Sequence, residues 1–172
     1  ETADTASRNS FLERLAVTAR KLDPTRPLSA ACLFNQDTLS IEDTLTDLVD
    51  VVGINEYFGW YDTEIADLRQ ILDSFDLGKP LIISETGCDI AAGDRGPETR
   101  RNSEAFGAAY YRNQIATIDG HSSISGFVPW LLYDFRTERR QNPVQRGWNR
   151  KGLISEDKAT YKDAFHVVAE FY

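Results

Sequence analysis

The stretch "PLIISETGCD", residues 80–89, sets a lone carboxylate at the end of an apolar run. Leu81, Ile82 and Ile83, between a proline and a glycine, read as a short buried strand. Glu85 follows where that strand leaves the core, and Gly87 turns the chain just after it. A carboxylate so placed can attack an electrophile or move a proton, or it can close a salt bridge at the rim. Other polar and aromatic residues gather after short apolar runs in the same way. Asn55 ends "DLVDVVGIN" and Glu56 and Tyr57 follow it, Trp130 to Asp134 follow "ISGFVP", and Asn149 and Lys151 lie in "GWNRKGL". His121 and His166 are the only histidines, and they read as loop and helix-surface residues rather than metal ligands. Cys32 and Cys88 make neither a disulfide framework nor a zinc site, and Cys32 reads as reduced and buried.

Those residues need elements to hold them. Residues 7–22 carry Phe11, Leu12, Leu15, Val17, Ala19 and Leu22 at mostly helical spacing, closed by Asp23-Pro24. "RPLSAACLF" (26–34) predicts a strand, and a polar stretch over 35–46 separates it from the strand ending at Asn55. Ile65, Leu68, Ile71, Leu72 and Phe75 predict an amphipathic helix over 63–75, ended by Gly78-Lys79-Pro80. A long helix is expected over 98–118, a strand within "ISGFVPWLLYDF" (124–135) and a last helix in "TYKDAFHVVAEFY" (160–172).

Strands alternating with helices imply parallel strands joined by helical crossovers. The strands are short and continuously apolar, as when both faces are covered. No glycine-rich phosphate loop follows any of them, which removes the usual sign of a nucleotide-binding sheet. In a (β/α)₈ barrel the site is built at the carboxyl ends of the strands, where the polar clusters fall here. Four strands make half of such a barrel, which takes about 250 residues in full. The 172 residues therefore read as one partial catalytic domain, residues 1–172, lacking the first half of its barrel and anything upstream. The absence of any methionine suggests that residue 1 is not a natural start.

Hydrophobic residues make up 41% of the chain and charged residues 27%, the balance of a globular domain. A net charge of −8 speaks against nucleic acid or an anionic membrane as partner, because phosphates would be repelled. No run reaches the roughly 18 apolar residues of a membrane span, and none has the pattern of a signal peptide.

"VVGINEYFGWY" (51–61), "KPLIISETG" (79–87), "WLLYDF" (130–135) and "NRKGL" (149–153), in this order, resemble glycoside hydrolase family 2, the family of β-galactosidases, β-glucuronidases and β-mannosidases. The resemblance covers essentially the whole chain. It implies the second half, strands 4/5 to 8 with their helices, of an α/β (β/α)₈ TIM barrel. It places the catalytic nucleophile at Glu85. The family's acid/base glutamate precedes a helix that ends in "LDP" or similar, and "KLDPTRP" (21–27) follows one helix here, so the resemblance places that role at Glu1. A retaining β-glycosidase needs one carboxylate to attack the anomeric carbon and another to protonate the departing oxygen, about 5–5.5 Å apart. That scheme requires neither metal nor organic cofactor.

By the same resemblance Tyr57 presents a hydroxyl to the nucleophile, and Trp130 offers an aromatic platform to a sugar ring. Asn55 supports either a sugar hydroxyl or its own loop, and Trp60 and Tyr61 remain open between packing and ligand contact. In β-glucuronidases an Asn-x-Lys pair recognises the substrate carboxylate, and Asn149 and Lys151 occupy the matching positions. An ammonium and amide donors suit a uronate. Two positions depart from the pattern: Glu56 stands where Arg or Ser is common in β-glucuronidases, and Thr86 where an aromatic is usual. The arginines of the 134–150 loop suit either an acidic glycan or plain solvation. The expected activity is that of a retaining exo-β-glycosidase on terminal β-linked sugars, with a β-glucuronide preferred and a β-galactoside the runner-up. The rival from another class is a non-catalytic glycan-binding or assembly half-barrel. The expected partners are a carbohydrate substrate and the other half of the barrel, with a homo-oligomer left open.

Overall fold

The computed structural model describes residues 5–61 and 64–172. Glu1, expected as the acid/base, lies outside the described residues. The chain forms two compact units. One is made of the described residues up to Glu56, Ala66–Glu85 and Gly120–Val128, and the other of those within Tyr57–Ile65, Thr86–Asp119 and Pro129–Tyr172.

The first unit is built on a sheet. Helix α1 (Ala6–Leu22) starts where the Thr5 hydroxyl accepts from the Arg8 amide at 3.2 Å, and stops at Asp23. Pro24 forces Asp23 into an extended conformation that no helix continues. Strands β1 (Ser29–Ala31), β4 (Val51–Asn55), β5 (Leu81–Thr86) and β6 (Ile124–Pro129) lie side by side in that order. β1 pairs in parallel with β4, and β4 in parallel with β5. Val52, Ile54, Leu81 and Ile83 are wholly buried, as continuously apolar strands require. Helix α2 (Ile65–Ser74) buries Leu68, Ile71 and Leu72, the i, i+3, i+4 stripe legible in the sequence.

Arg8 and Arg20 dock α1 through two-pronged pairs to Asp43 (2.9 and 2.8 Å) and Asp50 (both 2.9 Å). Asp43 is itself buried, and it also accepts from the Leu33 and Leu45 amides at 2.8 and 2.9 Å. The expected strand over 26–34 is shorter than its apolar run. β1 takes only three residues, and the polar stretch after it holds a small antiparallel pair, β2 (Phe34–Asn35) with β3 (Ser40–Ile41). The Asn35 side chain closes that turn by accepting from the Asp37 amide at 2.8 Å.

The second unit is loop-rich. Helix α3 (Glu104–Ile118) begins six residues later than its apolar spacing predicts, because Ser103 caps it by accepting from the Phe106 amide at 3.1 Å. Helix α4 (Asp163–Phe171) follows a long ordered loop, inside which β7 (Phe135–Arg136) and β8 (Trp148–Asn149) pair antiparallel. Glu104, buried at the start of α3, accepts from the Gly93 amide at 2.9 Å and the Asp163 amide at 2.8 Å, so it also satisfies the start of α4. Asp134 accepts from Lys162 Nζ at 2.8 and 3.0 Å and from the Gly152 amide at 2.8 Å. A side chain at Gly152 would strike the Asp134 backbone, so only glycine fits there. These bonds tie the loop after β6 to the residue that precedes α4.

Candidate active site

β4 and β5 run in simple register from Val52↔Leu81 to Ile54↔Ile83, which would put Asn55 opposite Ser84. The register instead shifts between Ile54 and Asn55, and Asn55 stands opposite Glu85. A one-residue shift exchanges which side chains share a face of the sheet. Its result is a short relay at the strand ends. Ser84 Oγ donates to Asn55 Oδ1 at 2.8 Å, and Asn55 Nδ2 donates to Glu85 Oε2 at 3.0 Å. The Glu56 amide donates to the Glu85 carbonyl at 2.8 Å, which pins the backbone beneath the carboxylate. Glu85 is half-buried, so its carboxylate is both held and approachable. Asn55 therefore holds the carboxylate, a third use beyond the two expected for it. Glu56 is buried.

The second unit carries a different constellation. Lys151 is 1% exposed, and its ammonium lies 5.5, 5.3 and 5.2 Å from the ring centres of Tyr57, Trp60 and Tyr61. Aromatic faces attract a cation through their quadrupole without taking up its hydrogen-bond donors. The one carboxylate among its described contacts is Asp89, whose Oδ1 is 3.4 Å from Nζ. Asn149 is buried one residue pair away, and its Oδ1 accepts from the Lys151 amide at 3.1 Å. That bond turns the amide group toward the lysine's own backbone and fixes the Asn-x-Lys unit as one rigid element. Arg101 stacks over Trp60 with its guanidinium carbon 4.2 Å from the ring centre, and also donates to the Trp60 carbonyl.

Trp130 is 38% exposed and its amide donates to the Thr86 carbonyl at 2.6 Å. Its peptide bond to Leu131 is cis. The Trp130 carbonyl comes so close to Gly87 that any side chain at Gly87 would collide with it. The glycine after the Glu85 motif is thus a packing requirement as well as a turn. Thr86, in the place of the usual aromatic, is buried with its hydroxyl 2.8 Å from the Tyr110 hydroxyl. Cys32 and Cys88 are both reduced and buried, and burial pushes the Cys32 thiol up to about 11 and the Cys88 thiol higher still.

Within the sheet unit, then, Asn55 and Glu85 come together. Within the second unit Tyr57, Asn149 and Lys151 come together, and Trp60 and Tyr61 join them as walls of the lysine's surroundings. The sequence reading missed Asp89 and the residue behind it, Gln145, whose Nε2 donates to Asp89 Oδ2 at 2.5 Å. The signal for Asp89 was present: it ends the same "SETGCD" motif, four residues after Glu85. Gln145 offered none, since it lies in an arginine-rich loop and belongs to no motif.

The family described as "Glycosyl hydrolases family 2, TIM barrel domain" matches residues 3–171. A β-glucuronidase of Streptococcus agalactiae is 30% identical over 96% of this chain, and one of Rattus norvegicus 28% identical over 94%. The chain spans 28% and 26% of those proteins' lengths. Among solved structures, a β-galacturonidase from Eisenbergiella tayi bound to galacturonate superposes over 99% of this chain with a TM-score of 0.86 at 26% identity. A β-glucuronidase from Faecalibacterium prausnitzii does so over 95% with a TM-score of 0.82 at 29% identity. The chain covers 31% and 28% of those two structures.

Proposed function

The chain belongs to glycoside hydrolase family 2, as part of its TIM barrel domain, and we propose that it supplies strands 4/5 to 8 of the barrel of a retaining exo-β-glycosidase that removes terminal β-linked uronic acids, β-glucuronides first. The observation that carries this reading is Lys151, a buried ammonium among aromatic rings, with one long carboxylate contact among the described residues and Asn149 beside it. Burying a charge is costly unless something needs it there. A uronate carboxylate needs it, and a neutral galactoside does not. Relatives named β-glucuronidase and β-galacturonidase point the same way.

In this scheme Glu85 attacks the anomeric carbon to form a glycosyl ester, while Glu1 gives a proton to the departing oxygen. Glu1 then takes a proton from the water that hydrolyses the ester. Asn55 donates to one Glu85 oxygen and so steadies the carboxylate for attack. Tyr57 and Trp130 line the sugar, Asn149 and Lys151 receive its carboxylate, and the remaining strands come from the rest of the protein.

The test uses the full-length protein. Glu85→Ala is expected to lower kcat on an aryl β-glucuronide by several orders of magnitude. Azide should then restore turnover, with an α-glycosyl azide as product, because the small anion enters the space left by the carboxylate. Near-normal activity without azide sinks the assignment of Glu85. A wild-type preference for the aryl β-galactoside sinks the assignment of the sugar.

A further inference from the structure

We propose that Asp89, steadied by Gln145, is the positioning residue that aims the Lys151 ammonium at a substrate carboxylate and so sets selectivity for acidic sugars. The inference rests on the uronate reading of Lys151 and adds a residue to it. Asp89 is 4% exposed, and a carboxylate buried so deeply needs its own partners. One oxygen has Gln145 Nε2 at 2.5 Å and the other has Lys151 Nζ at 3.4 Å. Gln145 is fixed in turn, with its Oε1 accepting from Asn142 Nδ2 at 2.8 Å and its amide donating to Asn142 Oδ1 at 2.8 Å. The Asp89 backbone is tied as well, its carbonyl accepting from Asn102 Nδ2 at 3.1 Å. Asp89 is therefore a rigid anion at one side of the lysine, with Tyr57, Trp60 and Tyr61 forming the others.

The length of the ion pair is what makes it a positioning contact. Charge-assisted N–H···O bonds run at about 2.7–2.9 Å, and a pair that tight would occupy and neutralise the ammonium. At 3.4 Å, Asp89 keeps the charge anchored on its flexible four-carbon stem, and among the described residues it is the one side-chain acceptor that the ammonium reaches. The rings cannot accept a conventional hydrogen bond, so a second carboxylate brought by a ligand is the group that completes the set. Without Asp89 the ammonium would have, among the described residues, only aromatic faces to hold it.

The experiment compares kcat/KM for an aryl β-glucuronide and the matching aryl β-glucoside in the full-length enzyme. Asp89→Asn keeps the shape and an acceptor for Gln145 but removes the charge. It should lower the glucuronide-to-glucoside ratio by about tenfold or more, within the span of couplings between touching groups. The glucuronide KM should carry the loss. In a Lys151→Met background the same Asp89→Asn change should move the ratio no further, because its target is gone. Gln145→Leu should shift the ratio in the same direction by less, and it serves if Asp89→Asn does not fold. If Lys151→Met lowers the ratio while Asp89→Asn and Gln145→Leu leave it alone, the role of Asp89 is overturned and the uronate reading stands. If Lys151→Met itself leaves the ratio unchanged, the uronate reading falls and takes this inference with it. An equal further drop from Asp89→Asn in the Lys151→Met background would make Asp89 structural.

Discussion

Two lysines of the loop-rich unit are buried alike, Lys162 at 0% and Lys151 at 1% exposure, and they are held in opposite ways. Lys162 meets both oxygens of Asp134, at 2.8 and 3.0 Å, and the Arg150 carbonyl at 3.0 Å, so all three of its N–H groups have acceptors. Burial pushes its ammonium below the usual lysine range, and burial likewise pushes the Asp134 carboxyl above its own, even with the partners in contact. Such a pair is a finished structural joint between the loop after β6 and the start of α4. Among the described residues, Lys151 has one long carboxylate contact and three rings. On the proposed reading of Lys151, what separates a structural charge from a ligand-binding one is how far its hydrogen-bonding capacity is already met, since burial alone is the same for both.

The sharpest way to break that comparison is to remove each ammonium. Lys162→Met strands Asp134 in the core, and losing one member of a buried pair costs about 3–5 kcal/mol of stability. The melting temperature of the full-length enzyme should fall by several degrees, with every substrate affected together in the activity that remains. An unchanged melting temperature would remove Lys162 from the structural side. Lys151→Met is expected to cost about 2–5 kcal/mol of transition-state binding for the glucuronide alone, by analogy with truncated buried charge pairs. That is roughly thirty-fold to several-thousand-fold in kcat/KM, at about 1.36 kcal/mol per decade. Steady-state rates on the glucuronide, glucoside and galactoside decide it, and an equal fall on all three would make the two lysines the same kind of residue.

A smaller effect tests the edge of the Lys162 joint. Burial raises the Glu156 carboxyl, but hydrogen bonds from Arg150 and Ser155 outweigh it and hold the group at about 2, below its ordinary 4.5. A folded-state value below the unfolded one adds stability above the unfolded value, and that stability is lost as pH falls through the folded one. The Glu156 contribution should thus be full above about pH 4.5 and vanish toward about pH 2. Because the group is partly exposed, solvent screening limits it to about 1 kcal/mol or less. Melting curves of wild type and Glu156→Gln should differ at pH 6 and converge near pH 2.5. A gap that widens on acidification would contradict the assignment.

The strand and helix alternation was readable from the sequence because it is local. The β-branched runs ending at Asn55 and Ile83 and the Leu68, Ile71, Leu72 spacing each encode an element within a dozen residues. The start of α3 was misplaced because residues 98–102 look helix-compatible, and only the Ser103 hydroxyl chooses where the helix begins. β1 came out shorter than its apolar run for a related reason. Asp43, twelve residues beyond β1, takes the Leu33 amide out of any ladder.

The sequence by itself determined the order of the elements, the family and the residue types at the strand ends, since periodicity and motif spacing survive in one dimension. Only the tertiary structure decided which of those residues touch. A single register shift after Ile54 turned Asn55 into the holder of Glu85, and a different slip would have aimed it at the other face. Asp89 and Lys151 are separated by 62 residues, and Gln145 and Asp89 by 56, so no local pattern could join them. Whether a buried lysine is saturated like Lys162 or left in need like Lys151 depends on distances of a few tenths of an ångström. Those are set by packing across the whole unit, which no stretch of sequence encodes alone.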